Sequence, residues 1–110
     1  MSAFTYDPRL RPAQPVAPAG DAYPIHHAEV TPGLRLAYVR EGIGGFPLVL
    51  LHGYPETKRI WWRNIDALVT AGFEVIVPDL RGHGDSDLAT DDVYDIVTYS
   101  RDLYALVHDV

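Results

Sequence analysis

The sequence contains no cysteine among its 110 residues. This absence excludes a disulfide framework, a catalytic thiol and a zinc ribbon, and it fits a reducing compartment. The first residues also lack the continuous apolar stretch of a signal peptide, so we predict a cytoplasmic protein. No HExxH motif or similar ligand spacing occurs, and His26 and His27 are adjacent in a predicted strand and would point to opposite faces. We therefore predict no metal site and no cofactor.

Basic residues are scarce, with 9 Lys and Arg against 15 Asp and Glu and a net charge of -6. Since no cluster of Lys and Arg could neutralise a run of phosphates, a nucleic-acid surface is excluded. No apolar run approaches the roughly 20 residues that a membrane-spanning helix needs. We predict neither nucleic acid nor membrane as a partner, and the 47% hydrophobic content suits one globular domain.

Proline spacing divides the chain into two parts. Prolines recur through the first part so closely that neither a helix nor a central strand could form there: Pro8, Pro12, Pro15, Pro18 and Pro24. We predict an extended arm over residues 1–24 and a folded core over residues 25–110, where the apolar pattern starts at Ile25.

A β-hairpin opens the core. Two short strands are predicted over residues 26–30 and 34–40, and Thr31-Pro32-Gly33 forms a plausible turn between them. Apolar and polar residues alternate in the second strand, so we expect this pair to be half-exposed at an edge of the sheet.

Buried strands and helices alternate in the rest of the core. Residues 47–51 and 73–77 are apolar runs too short for helices, which indicates buried parallel strands. A helix with Trp61, Ile65, Leu68 and Val69 on one face lies between them and ends at Gly72. A second helix has apolar residues at helical spacing: Ile96, Tyr99, Leu103, Leu106, Val107 and Val110. This order predicts the α/β class, a parallel sheet with helices on its faces.

The second helix reaches Val110 with its apolar face still in phase and without a capping glycine. A sheet left at this stage would expose an edge strand and apolar helix faces, which natural domains rarely tolerate. We therefore expect the chain to be one part of a larger fold.

His52-Gly53-Tyr54-Pro55 follows a predicted buried strand, at the end of the sheet where open α/β folds bind ligands. The segment LLHGYPET, a tryptophan soon after it, and the later segment VPDLRGHGDS together resemble the α/β-hydrolase family. The resemblance extends over residues 25–110 and is closest to the epoxide hydrolase and dehalogenase branch. It implies the N-terminal part of an α/β-hydrolase sheet, incomplete in this chain.

The resemblance also implies roles for the HGYP segment. The backbone N–H of Tyr54 would be one donor of an oxyanion hole, which stabilises the negative charge of a tetrahedral intermediate. His52, Gly53 and Pro55 would support the loop, with a cis peptide bond between Tyr54 and Pro55. The Tyr54 side chain and Glu56 would line the pocket, although a carboxylate at the positive end of a helix is the plainer interpretation of Glu56. Taken alone, HGYP could be a simple strand-to-helix turn.

Other polar residues carry weaker predictions. Asp79 and Arg81 follow the second parallel strand, and we interpret them as residues that shape a tight loop. His83 lies between two glycines and is expected to be exposed. No GxSxG nucleophile elbow and no phosphate-binding GxxxxGK[ST] motif occurs, so both a serine nucleophile and a nucleotide loop are missing from this chain.

In the family that the chain resembles, the nucleophile, the acidic residue and the base histidine all lie further along the chain. The complete protein would then be an epoxide hydrolase-like enzyme with an aspartate nucleophile and an ester intermediate, acting on a small molecule. Its partner would be the complementary C-terminal part that carries those residues, and this chain alone would be inactive. Haloalkane dehalogenases usually have asparagine where Tyr54 stands. The alternatives are a haloacid dehalogenase, a serine esterase or haloperoxidase, and a non-catalytic receptor on the same fold.

Overall fold

The structure is a computed structural model that describes residues 23–110. The arm predicted over residues 1–24 lies outside the described residues except for its last two, and Tyr23 packs into the core with 7% of its surface exposed. The elements are β1 (His26–Thr31), β2 (Leu34–Glu41), β3 (Phe46–Val49), a 3-10 helix (Lys58–Trp61), α1 (Ile65–Thr70), β4 (Phe73–Pro78) and α2 (Ile96–Asp109).

The strands form one four-stranded sheet in the order β1-β2-β4-β3. β1 and β2 form the predicted antiparallel hairpin, in which Gly33 adopts a φ of 81° that favours glycine. β4 lies antiparallel to β2 and parallel to β3, with Leu48 opposite Val75. The predicted α/β class, with a hairpin followed by parallel strands, is confirmed.

Two expectations about burial were wrong in part or in full. The hairpin lies at an edge of the sheet through β1, which is largely exposed, but β2 lies between β1 and β4 and buries Leu36, Ala37 and Val39. β3 is parallel as expected, but it lies at the edge of the described sheet and leaves Phe46 73% and Val49 37% exposed. Alternation within a strand reports the polarity of its two faces, whereas its place in the sheet depends on partners far along the chain.

Helices cover both faces of the sheet. On one face, Val39, Val75 and Val77 form a cluster with Trp62 and Ile65 of the first helical region. On the other, Leu106 of α2 packs with an apolar group that also contains Leu34, Leu36, Ile76 and Ala89. The sheet is thus fixed between two layers, and its strand ends form a rigid base for the loops.

The first predicted helix is divided in two. A 3-10 turn at Lys58–Trp61, capped by the Thr57 side chain, precedes the short α1. The predicted end is confirmed, because Gly72 follows the last turn with a φ of 100° and donates its N–H to Val69 O.

The second predicted helix is confirmed as α2, and Asp95 caps it by accepting a hydrogen bond from Thr98 N–H at 2.8 Å. Its apolar stripe is only partly buried, since Leu106 is fully buried while Ile96 is 78% and Val107 42% exposed. No helix within residues 23–110 is long and apolar enough to cross a membrane. The cytoplasmic location stays a prediction.

Candidate functional site

The loop at residues 52–57 and the loop at residues 79–87 meet at one end of the sheet, where the parallel strands β3 and β4 end. Leu50 N–H donates to Ile76 O at 2.9 Å and continues the pairing of the two strands up to the loops. Neighbouring parallel strands deliver their loops to the same edge, the place where α/β sheets bind ligands. Both segments that carry the family resemblance are therefore brought together.

The HGYP segment forms a tight exposed turn. Gly53 O accepts a hydrogen bond from Glu56 N–H at 2.8 Å, and the peptide bond between Tyr54 and Pro55 is cis, as the resemblance implies. Tyr54 is 88% exposed, and no residue of the described range accepts a hydrogen bond from its N–H. The Tyr54 N–H is therefore without a hydrogen-bond partner among residues 23–110.

His52 lies beneath this turn and is 5% exposed. Its Nε2 accepts a hydrogen bond from Leu80 N–H at 3.0 Å, and its Nδ1 lies 2.9 Å from Gly53 O. Because the Leu80 N–H can only donate and the Gly53 carbonyl can only accept, the ring is the neutral tautomer with its proton on Nδ1. Both ring nitrogens form hydrogen bonds with backbone groups, one in each loop, so the His52 ring joins the two loops.

His83 is half-buried beside His52, and their ring centroids lie 4.9 Å apart. The expectation that His83 is exposed was therefore wrong, because the turn around it folds back against the HGYP segment. Its Nδ1–H donates to Arg81 O at 2.9 Å, and the Tyr54 ring meets it edge-on at 6.0 Å. This contact orients the Tyr54 side chain within the described structure.

A cleft of about 680 Å³ opens between the two loops and the start of α2. Tyr54, Glu56, His83, Tyr94 and Tyr99 are among its lining residues. Tyr54 and Glu56, for which a pocket-lining role was predicted, both border this cleft, and their role in a functional site stays a prediction. Glu56 precedes the capping Thr57 and so lies outside the first helical turn, contrary to the plainer interpretation of this residue.

A buried ion cluster lies at the base of the 52–57 loop. The Lys58 side chain is fully buried, and its Nζ lies 2.6 Å from Asp79 Oδ2 and 2.6 Å from Asp85 Oδ2. Lys58 N–H donates to the other Asp79 oxygen, Oδ1, at 2.7 Å. The hydrogen bond from Lys58, followed by weaker contributions that include Arg59, lowers the pKa of Asp85 below its usual value.

The second loop is shaped around the Asp79 carboxylate. Asp85 N–H donates to Asp79 Oδ2 at 2.9 Å, and Ser86 Oγ donates to Asp79 O at 2.7 Å while accepting Ala37 N–H from β2. A Cβ at Gly84 would overlap the Asp79 carboxylate, and the φ of 49° at this residue also favours glycine. The Gly-rich stretch therefore closes tightly around a buried anion.

Arg81 connects the same loop to α2. It is 3% exposed, and its Nε and Nη2 hold the two oxygens of Asp102 at 2.6 and 2.7 Å. Its Nη1 contacts Asp91 Oδ1 at 3.2 Å and Val93 O at 3.3 Å. The hydrogen bond that Arg81 donates to Asp102 raises the pKa of Arg81, so it stays charged and bound within the loop. These contacts fit the interpretation of Arg81 as a loop-shaping residue.

Sequence reasoning missed Lys58. A lysine is almost never fully buried unless it is paired, and its partners lie 21 and 27 residues away in the chain. The only available signal was the combination of a lysine at the start of a helical turn with two aspartates in a Gly-rich loop, a combination that also occurs on solvated surfaces.

A family model described as the alpha/beta hydrolase fold matches residues 47–109. Epoxide hydrolase A from Mycobacterium tuberculosis is 43% identical over 73% of this chain and 26% of its own length. A haloalkane dehalogenase from Mycobacterium marinum is 40% identical over 64% of this chain and 26% of its own length. A non-heme chloroperoxidase from Kitasatospora aureofaciens is 39% identical over 71% of this chain and 28% of its own length.

Solved structures show the same similarity. The crystal structure of Epoxide Hydrolase A from Mycobacterium thermoresistibile aligns with a TM-score of 0.71 and 39% identity, over 80% of this chain and 28% of that chain. The chain spans about a quarter of the length of these relatives. Because the family model covers more than half of its residues, the chain belongs to the α/β-hydrolase fold family.

Proposed function

We propose that the complete protein is an epoxide hydrolase-like enzyme that acts through an aspartate nucleophile and an ester intermediate. In this proposal the described chain contributes the Tyr54 N–H to the oxyanion hole, while the nucleophile, the acidic residue and the base histidine come from a complementary C-terminal part. The cytoplasmic location belongs to the same proposal.

The observation that carries the proposal is the unused backbone donor at Tyr54, which is held on an exposed turn beside an aromatic cleft. A donor that is fixed before the reaction stabilises developing negative charge without reorganisation. His52, Gly53 and Pro55 form the frame of this turn. The space beside Gly53 is open apart from Glu56 Oε1 at 3.6 Å, so the close approach of a ligand oxygen is unobstructed there.

The proposed reaction has two steps. An aspartate carboxylate attacks an epoxide carbon, the carbon–oxygen bond of the ring breaks, and the released oxygen takes up a proton. A water molecule activated by the base histidine then attacks the ester carbonyl, and the Tyr54 N–H stabilises the resulting oxyanion. Collapse of this intermediate releases a diol whose new hydroxyl oxygen came from the carboxylate.

A serine-dependent hydrolase is the second candidate, and the match to a chloroperoxidase favours it. The resemblance offers a weaker case for a haloalkane dehalogenase, because Tyr54 stands where those enzymes usually have asparagine. A serine enzyme would use the same donor at Tyr54 but would act on an ester substrate.

The test is a single turnover of the complete protein, in excess over styrene oxide, in oxygen-18 water. The proposal predicts a diol free of label and label on an active-site aspartate. Labelled diol in the first turnover would exclude the aspartate mechanism. Turnover of para-nitrophenyl acetate together with an inert epoxide would favour the serine enzyme, and no turnover of epoxides, chloroacetate or esters would favour a receptor.

A further inference from the structure

Both ends of the 52–57 loop are attached to the 79–87 loop. On the side that precedes Tyr54, the His52 ring accepts the Leu80 N–H. On the side that follows it, Lys58 binds Asp79 with its backbone and its side chain together. Between these anchors, the hydrogen bond from Glu56 N–H to Gly53 O and the capping hydroxyl of Thr57 fix the intervening backbone.

The Lys58 anchor is unusual because it is ionic and buried. Lys58 and Asp79 are both 0% exposed in their side chains, and Asp85 covers the amine from its outer side. Burying an ammonium group is costly unless hydrogen-bonded carboxylates surround it, so only a narrow range of positions satisfies the group. Such a buried ion pair is weak evidence of net stabilisation, whereas removing one partner leaves an uncompensated buried charge.

We propose that Lys58 is a positioning residue for the oxyanion hole, which holds the Tyr54 N–H in place by binding the first helical turn to Asp79 and Asp85. This inference rests on the proposed function and adds to it a residue that touches neither the substrate nor the reacting atoms. Lys58 begins the 3-10 helix four positions after Tyr54, so only residues 55–57 separate it from the proposed donor.

The proposal predicts an effect on ester hydrolysis and little effect on ester formation. The Tyr54 N–H stabilises the tetrahedral intermediate of ester hydrolysis, whereas attack of the carboxylate on the epoxide creates no such intermediate. A misplacement of about 1 Å in a catalytic group can cost on the order of a hundredfold in rate. Loss of the Lys58 amine should therefore slow hydrolysis of the ester and leave its formation nearly unchanged.

The experiment compares Lys58→Met in the complete protein with Arg59→Met, the neighbouring cation, which also binds Asp85 but is 38% exposed. Rapid-quench single turnovers with styrene oxide measure ester formation and hydrolysis separately, each normalised to the folded fraction. We expect Lys58→Met to slow hydrolysis about tenfold to a hundredfold with formation changed less than about threefold. Both rates of Arg59→Met should stay within about twofold, since an exposed pair contributes little.

Unchanged ester hydrolysis in Lys58→Met would overturn the proposal, and so would an equal slowing of both steps, which indicates general structural damage. If Lys58→Met does not fold, Asp85→Asn serves in its place, because it removes only the outer carboxylate, which is 41% exposed. That variant should slow hydrolysis by about threefold while formation is preserved. Unchanged hydrolysis in Asp85→Asn would overturn the proposal.

Failure of the proposed function is a separate result. If the unsubstituted protein converts styrene oxide without forming an ester, the aspartate mechanism is wrong. In that case, or if styrene oxide is not converted, crystal structures of the unsubstituted and substituted proteins test the role of Lys58. A shift of the Tyr54 nitrogen by about 1 Å or more supports the positioning role. If the turn around Tyr54 superimposes in the two structures, the positioning role of Lys58 is wrong.

Discussion

The two loops of the site, residues 52–57 and 79–87, meet at the same end of the sheet but are built in opposite ways. The first exposes Tyr54 to 88%, and no residue of the described range accepts a hydrogen bond from its backbone N–H. The second buries two of its charged residues, Asp79 at 0% and Arg81 at 3%, which bind Lys58 and α2.

In our proposal, the first loop presents the hydrogen-bond donor and the second loop holds that donor in position. A functional loop must leave hydrogen-bonding groups unused, and an unused group contributes nothing to holding its own backbone in place. Rigidity must then come from neighbouring residues, and the 79–87 loop provides it through the Asp79 carboxylate and the Leu80 N–H. Substitutions that alter one loop and leave the other intact test this division of roles.

The largest effect is expected at Tyr54 in the complete protein. Tyr54→Pro deletes the backbone donor and should lower kcat about a hundredfold or more, the usual result of losing one oxyanion donor. Tyr54→Phe keeps the donor and the ring and is the matched control, with most of the activity retained. Steady-state kinetics with styrene oxide measure both, and equal losses would show that the phenol is the functional group.

A smaller effect is expected when the connection between the loops is cut at His52. His52→Phe preserves a ring beside His83 but leaves the Leu80 N–H without an acceptor, which costs about 1–3 kcal/mol. We expect kcat to fall about tenfold while the shape of the pH–rate profile is unchanged, because a supporting ring transfers no proton. A loss of about a thousandfold together with a missing limb of the profile would identify His52 as a general base instead.

The smallest effect concerns Asp85 on the supporting loop. The hydrogen bond from Lys58 lowers the pKa of Asp85 in the folded protein, so the unfolded chain binds a proton at this group more readily. The resulting stabilisation is complete above the usual aspartate pKa of about 3.9 and is lost as the pH falls through the lowered folded value.

Asp85→Asn should therefore destabilise the protein by about 0.2–1 kcal/mol at neutral pH, a small figure because the side chain is 41% exposed and screened. The difference from the unsubstituted protein should shrink as the pH is lowered from about 5 to about 2 in urea-unfolding experiments. A difference that is constant over this range would show that the charge of Asp85 is not involved.

Features set by neighbouring residues could be predicted from the sequence. The turn at Gly33, the helix end at Gly72 and the cis bond before Pro55 depend on local backbone chemistry or on a short family motif, and all are confirmed. The parallel pairing of β3 with β4 also followed from the alternation of apolar runs and helical segments.

Features set by distant residues could not be predicted. The central place of β2 results from its pairing with β4, where Val39 lies opposite Val77. The burial of Lys58 requires Asp79 and Asp85, and nothing in the residues around Lys58 distinguishes it from a solvated lysine. The position of the HGYP turn could therefore be predicted from the sequence, whereas the buried ion pairs of Lys58 at the base of its loop could be identified only from the folded structure.

The most direct test of the account is a crystal structure of the complete protein with its ester intermediate trapped. The quantity to measure is the distance from the ester carbonyl oxygen to the Tyr54 nitrogen. The account predicts a hydrogen bond of about 2.7–3.2 Å, with Lys58 still bound between Asp79 and Asp85. A carbonyl oxygen beyond hydrogen-bonding distance of that nitrogen, or bound to the Tyr54 hydroxyl, would contradict it.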